Sequence, residues 1–375
     1  MRRSLIAIAL VSATACGDNI AGLPDGAPQP WPTEVVVTAD DAVLAITEAG
    51  AMHVVYRAGD SRLFHTIRTA DGWSDGAPVA LPEDTRAFAL AASGEMLHLV
   101  WQDGDELYYA QHAAGAGWMA PVSATAPYGD RAGRTVVLGA VLAHPDGDVL
   151  VTYGESRGNA KSGGMLQARA VWIADDAVAV EPTVIRSATA ANGSYHCTTR
   201  TAVLEADGAA LVFGGCDDEG PGQSVARRPF VARQAGPAWA ASNAPQAIAA
   251  GLDDGVVEIV QRLTGCPDAD RVDTCVTYSK LTAADGRWDD EELIAADVPM
   301  PTRASAVWLP GRVVAAYQQP GTGVLLVTST GEGFGDPDPV PLVEEEVTLH
   351  ADPDTGGVLL FHADGGGRYV ITRPP

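Results

Sequence analysis

The chain has 375 residues and carries 48 acidic against 24 basic side chains, a formal charge of −24 with histidine neutral. Its 46% apolar fraction is that of a folded globular protein and excludes wholesale disorder. The acidic balance excludes nucleic acid, which needs a basic footprint, and adhesion of the folded surface to anionic lipid.

In chain order, the first element is an export signal. Met1-Arg2-Arg3-Ser4 precedes the apolar run Leu5 to Val11 and then Ser12-Ala13-Thr14-Ala15. A charged start, a short apolar core and small residues before a cut site make a secretory signal over residues 1–15. The core is too short to span a bilayer as a mature helix. The small residues directly before Cys16 resemble the lipobox of bacterial lipoproteins. That resemblance implies lipidation of Cys16 and export to the bacterial cell envelope, with the membrane touched through the anchor alone. Plain secretion is the alternative. Removing the signal takes Arg2 and Arg3 with it and leaves 48 acids against 22 bases, a charge of −26. Residues 16–30 have no periodicity and carry Gly and three prolines, the composition of a flexible tether.

From Trp31 onward the chain repeats. Residues 52–79 and 97–122 each hold an apolar strand ending in an aromatic residue, a Gly-Asp turn, a second alternating strand, then Gly-Trp and Pro-Val. The aromatic spacing is 17 from Tyr56 to Trp73, from Trp101 to Trp118 and from Tyr317 to Phe334. Stretched copies run from Phe213 to Trp239 and from Val260 to Trp288, and a weaker one starts at Tyr153. A turn with glycine precedes each: Gly50, Gly94, Gly147, Gly208, Gly255, Gly311 and Gly356. Glycine turns between apolar strands signal hairpins, so each unit has four strands, A to D, in about 45 to 60 residues, the length of a propeller blade. In the seventh unit, adding 17 to Phe361 passes Pro375, so an outer strand is missing there; Trp31 to Val37 is the spare strand that completes it. The expectation is an all-β propeller of seven four-stranded blades over residues 31–375, with six blades as the alternative. Trp31, Trp73, Trp118, Trp239 and Trp288 then share one position, suited to packing between blades.

Asp71-Gly72-Trp73 and Asp285-Gly286-Arg287-Trp288 resemble a shortened Asp-box. Over residues 31–375 the chain resembles seven-bladed propellers built from sialidase-type (BNR-like) repeats. The full Ser-x-Asp-x-Gly-x-Thr-Trp pattern is absent.

In such a ring the B–C and D–A connections share a face. Three consecutive B–C connections read as long loops, 154–164, 214–228 and 264–274, in the third to fifth blades. Long loops on a rigid scaffold are where function concentrates. Apart from Cys16, four cysteines suggest two disulfides in an exported chain. Cys197 and Cys216 belong to the same face of the fourth blade, and Cys266 and Cys275 bracket the next B–C loop; these pairs are expected. A four-cysteine zinc site lacks its usual Cys-x-x-Cys spacing. Asp268, Asp270 and Asp273 are a weak calcium candidate, and no other cofactor is expected.

Arginine stands just before strand A in four blades, at one repeated position: Arg86, Arg134, Arg200 and Arg303. Guanidinium forks suit carboxylate or sulfate, and Tyr195 and His196 are candidates to move a proton beside them. The competing reading pairs these arginines with acids such as Asp41 and Glu346 as structural salt bridges. No strong catalytic motif occurs. The expected function is a monomeric binding or scaffold module for a protein or glycan ligand, engaging the face with the long loops. The alternative is a carbohydrate-active enzyme, a sialidase-like hydrolase or polysaccharide lyase acting on acidic glycans.

Overall fold

The computed structural model describes residues 31–375 except 60–61, 80–84, 126–133, 158–163, 175–176, 179–180, 191–196, 219–225, 265–273, 283–286, 290, 297, 299–303, 320–321, 331–332 and 341–346. Among the described residues every regular element is a strand, and the strands form seven antiparallel sheets. Strands A are Asp41–Ile46, Thr85–Ser93, Arg134–Ala143, Cys197–Leu204, Ala247–Asp253, Ala304–Leu309 and Val347–Ala351. Strands B are Met52–Ala58, Met96–Asp103, Val149–Arg157, Ala210–Asp218, Val256–Thr264, Arg312–Gln319 and Val358–Ala363. Contacts between successive sheets run from one strand A to the next, so strand A is the inner strand around a common axis. The chain is a seven-bladed β-propeller.

The A–B turns close as the sequence demands. In all seven, glycine sits at positive φ, from 53° at Gly94 to 101° at Gly147, a conformation that side chains with a Cβ resist. Strands B are buried on both faces and so read as nearly continuous apolar runs rather than alternating ones. The core is divided into seven clusters, one between each pair of neighbouring blades.

The repeated aromatic position seals these clusters. Trp73 packs between blades 7 and 1, Trp118 between 1 and 2, Trp239 between 3 and 4, Trp288 between 4 and 5, Phe334 between 5 and 6, and Trp31 between 6 and 7. At the interface of blades 2 and 3 the smaller Val178 takes the place, paired with Ile173.

The N-terminal strand completes the last blade. Thr33–Thr38 pairs antiparallel with Arg368–Thr372, giving a sheet whose outer strand comes from the opposite end of the chain. Ion pairs hold this seam. Arg68 of blade 1 meets Asp354 at 2.7 Å and Glu34 at 3.2 Å, while Arg373 meets Asp352 at 2.9 Å.

The long loops are shorter than the sequence reading has them. Strand B of blade 3 runs to Arg157 and strand C starts at Gly164; in blade 4 the corresponding limits are Asp218 and Ala226, and in blade 5 Thr264 and Thr274. In blade 3 Glu155 and Arg157, which read as loop, extend the sheet, and arginines of strands A and C hold the Glu155 carboxylate.

Candidate functional site

The starts of strands A and the ends of strands B gather at the face to which the sequence assigns the long loops. Arg86 lies in a bulge between Thr85 and Ala87, and Arg200 in a bulge between Thr199 and Thr201; both are exposed. Arg134 is different. It opens strand A of blade 3 in regular register, opposite Arg157, and is 4% exposed. A single repeated position for the arginines is therefore corrected. Leu138, four residues on from Arg134, pairs with Tyr153, whereas Arg200 directly precedes Thr201, the partner of Phe213. Bulges shift the strand locally, and sequence offsets cannot register them. Arg303, Tyr195 and His196 lie outside the described residues, as do Cys16, Cys266, Asp268, Asp270 and Asp273.

Arg134 belongs to a cluster built around Glu155. Alternate residues of a strand share a face, so Arg134 on strand A, Glu155 and Arg157 on strand B, and Arg169 on strand C all face blade 2. The Glu155 side chain is 2% exposed. Its Oε2 stands 2.8 Å from Arg169 Nε and 3.6 Å from Arg134 Nη2, and its Oε1 pairs with Arg157 Nε. Arg169 also donates to Gln167 Oε1 at 2.6 Å and to the Pro182 carbonyl at 3.2 Å. Gln102 of blade 2 fastens the neighbouring backbone, donating to the Val136 carbonyl at 2.7 Å.

Three guanidinium groups thus share one carboxylate, in a protein whose overall charge is strongly negative. Arg134 Nε and Nη2 have no hydrogen-bond partner among the described residues, although both are shielded from solvent. Arg157, 35% exposed, carries the cluster to the surface. Such an arrangement can accept a carboxylate or sulfate oxygen through charge-assisted hydrogen bonds. Sequence reasoning missed Glu155, Arg157 and Arg169. The available signal was the alternation Tyr153, Glu155, Arg157, which continues the strand period into what reads as a loop.

The Cys197–Cys216 disulfide supports the same end of the ring. The two residues are directly paired across strands A and B of blade 4, with Cα atoms 4.0 Å apart. Both lie within strands rather than in connections. Gly154, next to Glu155, lies so close to this strand that a side chain there would collide with the Cys197 carbonyl. Cys275 is also disulfide-bonded.

The buried histidines lie elsewhere. His53 Nδ1 and His65 Nε2 are 3.1 Å apart, and the His112 ring stands 4.8 Å from that of His65, between blades 1 and 2. Burial, with His112 adding to it, pushes His53 down to about 4 and His65 to about 3. His98 is fully buried between Ser93 Oγ at 2.8 Å and Tyr109 Oη at 2.9 Å. Among the described residues no group of three or more His, Cys, Asp or Glu side chains is arranged to hold a metal ion.

Among the described residues, two clefts lie on the opposite face, beside the A–B turns. One, of about 480 Å³, lies between blades 3 and 4 and is lined by His144, Asp146, Trp172 and Asp207. Its charges are paired internally: His144 with Asp146, and Asp207 with Arg233. The other, of about 650 Å³, lies between blades 6 and 7.

Comparison with solved structures agrees with the architecture. An ulvan lyase of polysaccharide lyase family PL25, bound to -[GlcA(1-4)Rha3S]-, superposes with a TM-score of 0.57 at 10% identity, over 90% of this chain and 92% of the lyase. The polysaccharide lyase Uly1 gives a TM-score of 0.48 at 11% identity, over 78% of this chain and 74% of its own. An α-L-arabinanase from Penicillium chrysogenum, complexed with arabinobiose, gives 0.48 at 12% identity, over 92% and 98%. The likeness to the ulvan lyase agrees with the propeller fold. No protein-family model matches the chain, and no curated protein matches it.

Proposed function

We propose that the protein is a glycan-binding propeller of the bacterial cell envelope, held by a lipid on Cys16, whose ligand carries carboxylate or sulfate groups. The observation that carries this reading is the cluster of Arg134, Arg157 and Arg169 on the buried carboxylate of Glu155, with Arg134 Nε and Nη2 making no hydrogen bond among the described residues. An acidic sugar offers the matching acceptors, and an arginine fork in a partly desolvated setting gains most from such a partner. Propellers of polysaccharide lyases, an arabinanase and fucose lectins share the architecture, so carbohydrate binding or processing fits the fold.

The test is a glycan array of sulfated, uronic-acid and neutral oligosaccharides on the full chain, followed by titration of the hits against Arg157→Gln. Selective retention of acidic glycans, weakened about tenfold by the substitution, is the expected result. Equal binding of neutral and acidic glycans, or an unchanged affinity in the variant, removes the reading.

A second reading makes the same site a polysaccharide lyase, in which an arginine neutralises the uronate carboxylate while Tyr195 or His196 moves the proton. Its support is the architecture shared with the ulvan lyase. Incubation with polyuronides separates the two: a lyase generates an unsaturated, ultraviolet-absorbing product, and a binding module leaves the chain length of the glycan unchanged.

A further inference from the structure

The cleft between blades 6 and 7 has a chemistry of its own. Its volume, about 650 Å³, falls in the range of small-ligand sites. The floor is apolar, formed by Val314, Leu326 and Val358. Trp31 forms part of the wall, presenting an aromatic ring beside that floor. Arg312 stands at the rim. It begins strand B of blade 6 and shares a sheet face with Val314 and Ala316, which pack against blade 7.

Two arginines line the cleft, and they differ in how they are occupied. Arg373 is engaged by Glu34, Asp352 and Asp354. Arg312 is exposed and makes no ion pair or side-chain hydrogen bond among the described residues. Asp338 and Thr328 bring polar acceptors and a hydroxyl to the same cleft.

This set of groups selects among ligands. A simple inorganic anion gains nothing from Trp31 and has no hydroxyl to donate to Asp338. A purely apolar molecule leaves Asp338 and Thr328 without partners. A ring with an apolar C–H face, hydroxyl donors and one acidic group satisfies all of them together: the face lies against Trp31, hydroxyls donate to Asp338, and the acid meets the Arg312 fork.

We infer that the cleft between blades 6 and 7 binds a uronic-acid-bearing mono- or disaccharide, with Arg312 holding its carboxylate and Trp31 its ring. The ligand class follows from the chemistry of this cleft and does not depend on the site in blade 3. The cleft lies on the opposite face, so the two sites are separable by mutation.

The experiment is calorimetric titration of the full chain with a glucuronyl disaccharide, its methyl ester and a neutral disaccharide of equal size. The acid binds, and the ester and the neutral sugar bind at least about tenfold more weakly. Arg312→Gln removes the binding event that prefers acid over ester, while Arg233→Gln, between blades 3 and 4, leaves it in place. Trp31→Ala abolishes binding and Trp31→Phe restores part of it, with melting curves on both to confirm the fold. Equal affinity for acid and ester, an Arg312→Gln variant that binds like the parent, or no heat from the acid at millimolar concentration overturns the proposal. Loss of binding in Arg157→Gln instead of Arg312→Gln assigns the ligand to blade 3 and overturns it as well.

Discussion

Arg134 and Arg157 stand directly opposite each other across strands A and B of blade 3, two like charges at paired positions held together by Glu155. Like charges facing each other across a sheet are normally destabilising. The buried carboxylate is what makes the pairing tolerable, so Glu155→Gln leaves uncompensated buried charge. The expected cost is about 3–5 kcal/mol, read from denaturant unfolding. The double variant Glu155→Gln/Arg157→Gln recovers part of it, and strict additivity of the two single losses would count against the cluster as one unit.

The Cys197–Cys216 disulfide closes a separation of 19 residues. In the chain-entropy account a loop of that size contributes about 3 kcal/mol. Cys216→Ser is therefore expected to lower the unfolding free energy by that order, with the strand pairing retained in circular dichroism. A melting temperature indifferent to both the substitution and reductant would argue against it.

The ring closes because Thr33–Thr38 supplies the outer strand of the last blade. Deleting residues 31–38 exposes the edge of Arg368–Thr372 and removes Glu34 from both Arg68 and Arg373. An uncovered edge strand pairs with other chains, so the truncated protein should self-associate in size-exclusion chromatography. A truncated chain that runs as the parent does and melts at the same temperature would contradict strand closure.

His53, His65 and His98 are kept neutral in the native state because burial lowers them to about 4, 3 and 4. In the unfolded chain a histidine titrates near about 6.5. Between these values the unfolded state binds more protons, so stability falls as pH drops. Their full contribution is present above about pH 6.5 and is lost progressively toward pH 4 and below. Melting temperatures measured across this window should decline more steeply for the parent than for His65→Gln; parallel curves would refute the assignment.

Much of the fold is legible along the chain because its determinants are local. Glycine at the A–B turns, aromatic residues closing strands B and the recurring Gly-Trp each act within a few residues, and their repetition counts the blades. Tryptophan packing between blades follows from the same repeat. The pairing of Cys197 with Cys216 also follows from it, since both positions fall at one end of one blade. The cluster around Glu155 is a different case. Its members are spread from residue 134 to residue 169; the alternation of Tyr153, Glu155 and Arg157 marks one strand face, but nothing along the chain brings Arg134 and Arg169 to it.

By itself, then, the sequence determined the all-β repeat, a preference for seven units over six, the strand that closes the ring and a strong net negative charge. Each depends on side-chain alternation or on backbone conformations open to few residues, and both are properties of short segments. Tertiary structure alone decided which arginine is buried, which carboxylate holds it, and that Arg312, which makes no ion pair among the described residues, lines the cleft between blades 6 and 7. Those outcomes depend on bulges that shift strand register and on the packing of one blade face against the next, neither of which any local segment encodes.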